Sequence, residues 1–272
     1  MPRLLVQADD NALSRGVSLG ILHAITHGIV RNTGLFTNRP AAVEAASALR
    51  SIPNICVGLD VNLVTGSPLS RPDDVPALVT DVGAFRSSGS VMAAGSVVRN
   101  EGWIVVFETD PFPKDQVDRE TRAQVAQFTH IMGRKPDYLH FHSLATPNVH
   151  DVVLDLAREL RIPTSDALIN DVAITPIMPP WYTRPFPLQA QAEAEPQPQL
   201  IEILSGLGGH DTAFLIIHPG YVDAETLDLS TFSVIRARDL QLACSPELIG
   251  FLADHDIELV TYHDVLGARS WQ

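Results

Sequence analysis

The sequence is built from short apolar runs, each of which stops at polar side chains. The first run, residues 3–8, ends at the adjacent carboxylates of Asp9 and Asp10. A buried strand followed by a polar turn and a helix is typical of open α/β sheets and (β/α) barrels. In those folds the carboxyl ends of the strands carry the chemistry. We therefore expect functional carboxylates at one rim of a parallel sheet. The alternative is that Asp9 and Asp10 only end the strand, with Asn11 or Ser14 capping the helix.

Strand-like and helix-like segments alternate along the whole chain. Strands are predicted at 3–8, 29–37, 55–64, 137–142, 213–217 and 257–262, and helices at 13–28, 40–50, 114–133, 147–160 and 199–207. Residues 236–255 are also predicted to be helical, with the helix interrupted or entered at Pro246. This alternation, without a tandem repeat, predicts an α/β barrel-like fold in a single domain over residues 1–272. Two stretches, near 65–112 and 163–198, are punctuated by proline, glycine or serine and are expected to be irregular insertions.

Composition excludes several classes of partner and site. The 272 residues carry a formal net charge of −13, which disfavours binding to nucleic acid and to anionic membranes. Cys56 and Cys244 are the two cysteines, too few for a cysteine-based zinc module or a disulfide framework. The sequence has neither an apolar signal segment nor a run long enough to span a bilayer, so we expect a cytoplasmic protein. Walker A, G-x-S-x-G and G-x-G-x-x-G motifs are absent from it.

Polar side chains interrupt or end four of the predicted strands. They are Asp9 and Asp10, Asp60 and Asn62, His140 and His142, and His218. A strand buried on both faces cannot hold a charge or an imidazole without a partner, so each of these residues is paired, lies at the rim or binds a ligand. Any one of the histidines, taken alone, is more often structural. Carboxylates and imidazoles delivered by several strands are together the ligand set of a hydrolytic metal site.

Five short motifs resemble those of one known family. They are Ala8-Asp9-Asp10 with Leu13-Ser14, Gly58-Leu59-Asp60-Val61-Asn62-Leu63, the histidine strand at 138–142, Pro147-Asn148-Val149, and His218-Pro219-Gly220-Tyr221. In this order, and from residue 3 to about residue 263, they resemble the YdjC-like carbohydrate deacetylases, also called the chitooligosaccharide or hopanoid-associated deacetylase group. The resemblance implies a distorted (β/α) barrel that uses a divalent metal ion to remove the acetyl group from an N-acetylated sugar or short oligosaccharide.

The resemblance also implies roles for individual residues. The general base falls on Asp9, metal binding falls on Asp10 and His142, and the acid or transition-state stabiliser falls on His218. Zinc is the first expectation for a His/Asp ligand set, with magnesium, cobalt or nickel as alternatives. The expected partner is a small acetylated sugar. Many members of the family look like homodimers, so the resemblance allows a homodimer here, although no surface pattern in the sequence indicates one.

The chain departs from the family pattern in several places. The family's further histidines after the histidine strand are replaced by Ser143, Leu144, Ala145 and Thr146, and Asn11-Ala12 stands where the family has Phe-Gly. Two other departures fall on candidate metal ligands. Asp60 stands where the family usually has histidine, and His140 stands where it usually has aspartate. One hypothesis is that the two residue types have exchanged places. In that case Asp10 and His142 bind the metal, and Asp60 or His140 supplies the third ligand. The other hypothesis is a degraded metal site, which leaves hydrolysis of a non-sugar amide or a non-catalytic saccharide-binding protein.

Four further residues are candidates for binding the substrate. They are Asn62, Trp181, Tyr221 and Arg236. Asn62 lies on the same face of its predicted strand as the aspartate two residues earlier. Trp181 and its neighbour Tyr182 carry aromatic rings of the kind that stack on sugars, with ordinary packing as the alternative. Arg236 either contacts the substrate or pairs with a local acid.

Overall fold

The computed structural model describes residues 1–101, 103–171, 174–183, 185–209 and 211–266. The strands are β1 (Arg3–Asn11), β2 (Asn32–Leu35), β3 (Cys56–Val61), β4 (Val97–Glu101), β5 (Ile104–Phe107), β6 (Leu139–Phe141), β7 (Ile174–Ile177), β8 (Thr212–Ile217) and β9 (Glu258–Val260). The helices are α1 (Arg15–His27), α2 (Ala42–Leu49), α3 (Ser88–Ala94), α4 (Lys114–Met132), α5 (Pro147–Leu160), α6 (Ser165–Asp171), α7 (Leu188–Glu193), α8 (Pro196–Ser205), α9 (Ala224–Leu229), α10 (Ile235–Ala243), α11 (Pro246–Asp254) and α12 (Tyr262–Leu266), with a 3₁₀ turn at Pro72–Asp74. Among these residues no helix has the length and apolarity required to cross a membrane.

Seven parallel strands form one curled sheet, a half-barrel surrounded by helices. Their order is β6-β3-β2-β1-β8-β7, and β9 pairs with β1. β1 is the centre of the sheet because it pairs with β8 along one edge, and with β9 and then β2 along the other. The predicted distorted (β/α) barrel in a single domain is confirmed.

Asn32 joins the two strands that share the second edge of β1. Its buried side-chain amide donates hydrogen bonds to the carbonyl oxygen of Val6 at 3.0 Å and to that of Val260 at 3.2 Å. Its side-chain oxygen accepts from the backbone nitrogen of Tyr262 at 3.0 Å. A buried amide with all of these partners satisfied fixes the strand that ends at the two aspartates.

The predicted helices at 114–133 and 147–160 correspond to α4 and α5. Their apolar positions recur at the helical period, and that stripe packs against the sheet and against the other helix. α4 ends at Gly133, which has a φ of +73°, in the left-handed region that favours glycine. α5 begins after Thr146, whose side chain accepts a hydrogen bond from the backbone nitrogen of Val149.

The helical stretch predicted at 236–255 is interrupted at Pro246, as expected, and forms two helices, α10 and α11. Pro246 cannot donate a backbone hydrogen bond, so it occupies the first turn of α11 rather than continuing α10. The side chain of Ser245 caps this second helix by accepting a bond from the backbone nitrogen of Leu248 at 3.2 Å. The break matters for the site because it sets where α10 ends.

Both stretches expected to be irregular contain regular elements. The antiparallel hairpin β4–β5 and α3 lie within 65–112, and α6, β7 and α7 lie within 163–198. β7 pairs with β8 at the margin of the main sheet. Its sequence contains Pro176, which supplies no backbone donor and breaks the strand-like pattern. Because of this proline, the sequence analysis did not predict the strand.

Asp223 ties the first turn of α9 to α1. Its carboxylate accepts hydrogen bonds from the backbone nitrogen of Thr226 at 2.9 Å, from the Thr226 hydroxyl at 2.7 Å and from the backbone nitrogen of Gly16 at 2.7 Å. Partial burial raises the pKa of Asp223, but these hydrogen bonds outweigh it and lower the pKa below its ordinary value. The loop after β8 is therefore held against α1.

Replacing Asp223 by alanine is expected to lower the free energy of unfolding by about 1–2 kcal/mol, because the helix cap and the bond to Gly16 are lost together. Chemical denaturation measures the change. Asp228→Ala, which removes an exposed carboxylate from the same helix, is the matched control and is expected to stay within about 0.5 kcal/mol of wild type. Equal losses in the two variants would show that the cap contributes nothing specific.

Candidate active site

The polar residues that end the parallel strands meet at one rim of the sheet. Asp9 and Asp10 end β1, Asp60 lies in β3, His140 lies in β6, His142 follows β6 directly, and His218 follows β8. Because the strands are parallel, their carboxyl ends lie side by side. The three carboxylates are buried, with exposed fractions of 4% for Asp9, 3% for Asp10 and 0% for Asp60. The structure thus brings together all six residues predicted to act in catalysis or metal binding.

The backbone at the end of β1 is bent, and the bend directs both aspartates to the same rim. Asp10 has a φ of +68° and Ala12 has a φ of +73°, in the left-handed region that residues other than glycine seldom adopt. The register between β1 and β2 shifts between Ala8 and Asn11. Neighbouring side chains of a regular strand point to opposite faces, so this irregularity is what lets two successive carboxylates face β6.

Gln7 and His140 hold the two carboxylate oxygens of Asp9. Its Oδ1 accepts from Nε2 of Gln7 at 2.6 Å, and its Oδ2 lies 2.9 Å from Nε2 of His140. The other ring nitrogen of His140 lies 2.7 Å from the hydroxyl of Ser165. Burial lowers the pKa of His140, but the Asp9 carboxylate outweighs it and raises the pKa to about 9. In the absence of a bound cation, the Asp9 carboxylate therefore favours the protonated form of His140.

Asp10 has two partners. Its Oδ1 lies 2.8 Å from Nδ1 of His142, and its Oδ2 accepts from the Arg236 guanidinium at 2.6 Å. Burial raises the pKa of Asp10, but His142 and Arg236 together hold it well below the ordinary value. Arg236 is fully buried and reaches Asp10 from α10. The structure therefore shows Arg236 paired with a local acid, which was one of its two predicted roles. Contact of Arg236 with a substrate stays a prediction.

Asp60 is the most deeply buried of the three carboxylates. Its Oδ2 accepts from the backbone nitrogen of Asp10 at 2.9 Å. Burial, followed by the negative charge of Asp9, raises the pKa of Asp60 well above its ordinary value. The side chain lies over Gly34 of β2, where a Cβ atom would come within 1.6 Å of Asp60 Oδ1. Only glycine leaves room for this carboxylate inside the sheet.

The donor set fits a divalent cation. Ligand atoms of Asp9, Asp60 and His140 all lie within 4.8 Å of one another. Within the described residues, Oδ1 of Asp10 and Oδ1 of Asp60 are buried without a hydrogen-bond partner. Oδ1 of Asp10 keeps its 2.8 Å contact with Nδ1 of His142. Carboxylate oxygens and imidazole nitrogens converging in this way are ligands of zinc and related divalent ions. A bound cation would satisfy the two unpartnered oxygens.

His218 is held by residues that the sequence analysis did not associate with it. Its Nδ1 lies 3.1 Å from the Tyr182 hydroxyl, and its backbone nitrogen donates to Asp239 at 2.8 Å. The buried Trp181 donates to the same Asp239 carboxylate at 3.2 Å. Burial lowers the pKa of His218. Sequence reasoning missed Asp239, although it follows Arg236 by three residues on one helix and shares its face.

The remaining two candidates contact other parts of the protein. The Asn62 amide donates to Oδ1 of Asn38 at 3.0 Å and to the carbonyl oxygen of Thr65 at 2.8 Å, and its oxygen accepts from the Thr65 backbone at 2.9 Å. It shapes the loop that follows β3. The Tyr221 side chain is 47% exposed and lies beside His23 of α1. Sugar contacts by Asn62, Tyr221 and the buried Trp181 stay predictions.

Comparison with known proteins places the chain in a family. The model of the family described as YdjC-like protein matches residues 3–254. The chain belongs to the YdjC-like family. The resemblance in the sequence motifs is thereby confirmed.

This YdjC-like protein is similar to curated relatives along nearly its whole length. It is 29% identical over 267 residues to the carbohydrate deacetylase of Geobacillus stearothermophilus, which covers 97% of this chain and 98% of the relative. It is 27% identical over 271 residues to carbohydrate deacetylase 2 of Listeria innocua, with the same coverage of 97% and 98%. A solved structure from Enterococcus faecalis, described as a candidate cellobiose-phosphate cleavage protein, shares the fold with a TM-score of 0.73 at 21% identity, covering 97% of this chain and 99% of that one.

Replacing Arg236 by methionine is expected to lower the free energy of unfolding by about 3–5 kcal/mol, because Asp10 then stays buried without its cationic partner. Chemical denaturation measures the loss. Arg238→Met is the matched control on the same helix, and it removes a half-buried arginine that donates to the carbonyl oxygen of Ala192. Its expected cost is about 1 kcal/mol. Adding Asp10→Asn to Arg236→Met should restore part of the stability. Equal costs for the two arginines would contradict the role of the ion pair.

Proposed function

We propose that this chain is a metal-dependent carbohydrate N-deacetylase, a hydrolase that removes the acetyl group from an acetylamino sugar or short oligosaccharide. Its curated relatives are named carbohydrate deacetylases and match it from end to end. The rim of the sheet carries the carboxylates and imidazoles that such chemistry requires. The observation that carries the proposal is the pair of buried carboxylate oxygens, on Asp10 and Asp60, that have no hydrogen-bond partner among the described residues.

Asp10, Asp60 and His142 are proposed to hold the cation. Arg236 occupies Oδ2 of Asp10, and the backbone nitrogen of Asp10 occupies Oδ2 of Asp60, so the Oδ1 atom of each carboxylate is left for a ligand. Zinc is the first expectation for two carboxylates and an imidazole, with magnesium, cobalt or nickel as alternatives. When bound, such an ion lowers the pKa of a water molecule and polarises an amide carbonyl.

Asp9 and His218 are proposed to move the protons. Gln7 and His140 hold the two oxygens of Asp9, at 2.6 Å and 2.9 Å, so the carboxylate is oriented before a substrate arrives. An oriented carboxylate can take the proton of the attacking water. Burial lowers the pKa of His218, so a proton that Nε2 takes up from solvent is given up readily to the departing amine, and Asp9 returns the proton of the water molecule to solvent.

Release of acetate from N-acetylglucosamine oligomers tests the function. The wild-type protein is expected to release acetate, and a chelator is expected to stop the release. Asp9→Asn is expected to lower the rate by about 10²–10⁴, the range typical of a general base. Asp228→Asn, a matched change of an exposed aspartate on α9, should keep the wild-type rate.

Other outcomes identify the alternatives. Metal binding without acetate release would favour hydrolysis of a non-sugar amide, and the absence of both would favour a non-catalytic saccharide-binding protein. An Asp9→Asn variant that retains near wild-type turnover would remove Asp9 from the role of general base.

The ligand set is tested by the amount of metal bound to purified variants. His142→Ala and Asp60→Asn are expected to weaken metal binding by more than about 100-fold, because loss of a residue that merely supports a ligand already costs 10–100-fold. His140→Ala is expected to weaken it less, since His140 pairs with Asp9. His23→Ala removes a histidine from α1 and is the control. If His140→Ala loses the metal while His142→Ala keeps it, the site is the compact group Asp9–Asp60–His140 instead.

A further inference from the structure

The Tyr182 hydroxyl bridges His218 and a buried carboxylate. Its oxygen lies 3.1 Å from Nδ1 of His218, and the hydroxyl donates a hydrogen bond to Oδ2 of Asp239. The same Asp239 oxygen accepts from the backbone nitrogen of His218 at 2.8 Å. One carboxylate therefore holds the backbone of His218 directly and its ring through the tyrosine.

The number of hydrogen-bond donors and acceptors around Tyr182 determines which ring nitrogen of His218 carries the proton. A tyrosine hydroxyl has one proton to donate, and here it is donated to Asp239. An ionised carboxylate only accepts hydrogen bonds, so the proton cannot be returned to the tyrosine oxygen. The Tyr182 oxygen can therefore only accept from the imidazole, and that requires the proton on Nδ1 of His218. Nε2 is then the nitrogen that is left to exchange a proton.

The charge state that this argument needs is provided by the surroundings. Burial raises the pKa of Asp239 to about 6, against the hydrogen bonds from Tyr182, His218 and Trp181, so the carboxylate is ionised at neutral pH. Burial and the Asp239 charge raise the pKa of Tyr182 well above its ordinary value, so the phenol keeps its proton. The direction of both hydrogen bonds follows.

Tyr182 is fixed by packing that does not involve its hydroxyl. Its ring centroid lies 5.1 Å from that of Phe232, 5.9 Å from that of Trp181 and 6.1 Å from that of Phe186. Its backbone nitrogen donates to the carbonyl oxygen of Pro179 at 3.0 Å. A phenylalanine at this position would keep all of these contacts and lose only the bridge.

We propose that Tyr182, anchored by Asp239, is a positioning residue that holds His218 in one orientation with its proton on Nδ1, so that Nε2 makes the proton transfer. The inference rests on the proposed function, because it assigns a supporting residue to the acid of that reaction. The role depends on the contact between a tyrosine of the loop before α7 and an aspartate of α10.

The test compares Tyr182→Phe with wild type in deacetylation kinetics. kcat is expected to fall about 10- to 100-fold, as for other losses of an outer partner of an active-site imidazole, while KM changes less than about twofold. Tyr138→Phe is the matched control, because the buried hydroxyl of Tyr138 has no hydrogen-bond partner among the described residues. It should keep the wild-type kcat. An unchanged kcat in Tyr182→Phe, with lowered stability alone, would overturn the proposal.

A second measurement does not depend on activity. The ¹⁵N chemical shifts of the two ring nitrogens report the tautomer of His218 in the full-length protein. Wild type is expected to carry the proton on Nδ1, and Tyr182→Phe is expected to shift the ring toward a mixture of tautomers, with Tyr138→Phe unchanged. A wild-type ring protonated on Nε2 would overturn the positioning role. The expected shifts in a protein that releases no acetate would preserve the positioning of His218 and reject the deacetylase function.

Discussion

Burial of three neighbouring carboxylates is the constraint on which the site depends. Asp9, Asp10 and Asp60 are nearly or fully inaccessible to solvent, and burial together with the negative charges of Asp9 and Asp10 raises the pKa of Asp60. Groups that carry a positive charge or a proton offset this repulsion from two sides: Arg236 on α10, and His140 and His142 in and after β6. Even so, two carboxylate oxygens are left without a hydrogen-bond partner among the described residues. The arrangement therefore favours a bound cation as part of the native charge balance.

Helix α10 connects the residues proposed to bind the metal with those proposed to transfer protons. Arg236 and Asp239 lie three residues apart on one face of the helix, and they contact Asp10 and the His218 segment respectively. A displacement of α10 would loosen both parts at once. The left-handed backbone at Asp10 is tolerated because the same residue is held by an ion pair, by the Asp60 carboxylate and by the central strand of the sheet. Strain at this position is thus supported by contacts from several elements.

The sequence was informative wherever a regular pattern met a local rule. The helices at 114–133 and 147–160 follow from apolar periodicity and turn residues, and the rim follows from polar residues at strand ends. β7 was not predicted because Pro176 interrupts its strand-like sequence pattern. Only its pairing with β8 identifies it as a strand. Asp239 was not predicted as a site residue because its proposed role depends on tertiary contacts with Trp181, Tyr182 and His218, which lie far away along the chain. No local pattern encodes such contacts.

The register of the sheet gives physical support to an exchange of histidine and aspartate between β3 and β6. Asp60 of β3 is the direct partner of His140 in β6. Side chains at partner positions of neighbouring parallel strands point to the same face, so swapping the two residue types leaves one carboxylate and one imidazole at the same rim. The number of carboxylates and imidazoles at these two positions is then unchanged, and in this chain the carboxylate accepts from the backbone nitrogen of Asp10 while the imidazole lies next to Asp9. The exchange alone therefore removes no ligand group, whereas the replacement of the family's further histidines by Ser143, Leu144, Ala145 and Thr146 is the departure that fits a degraded metal site.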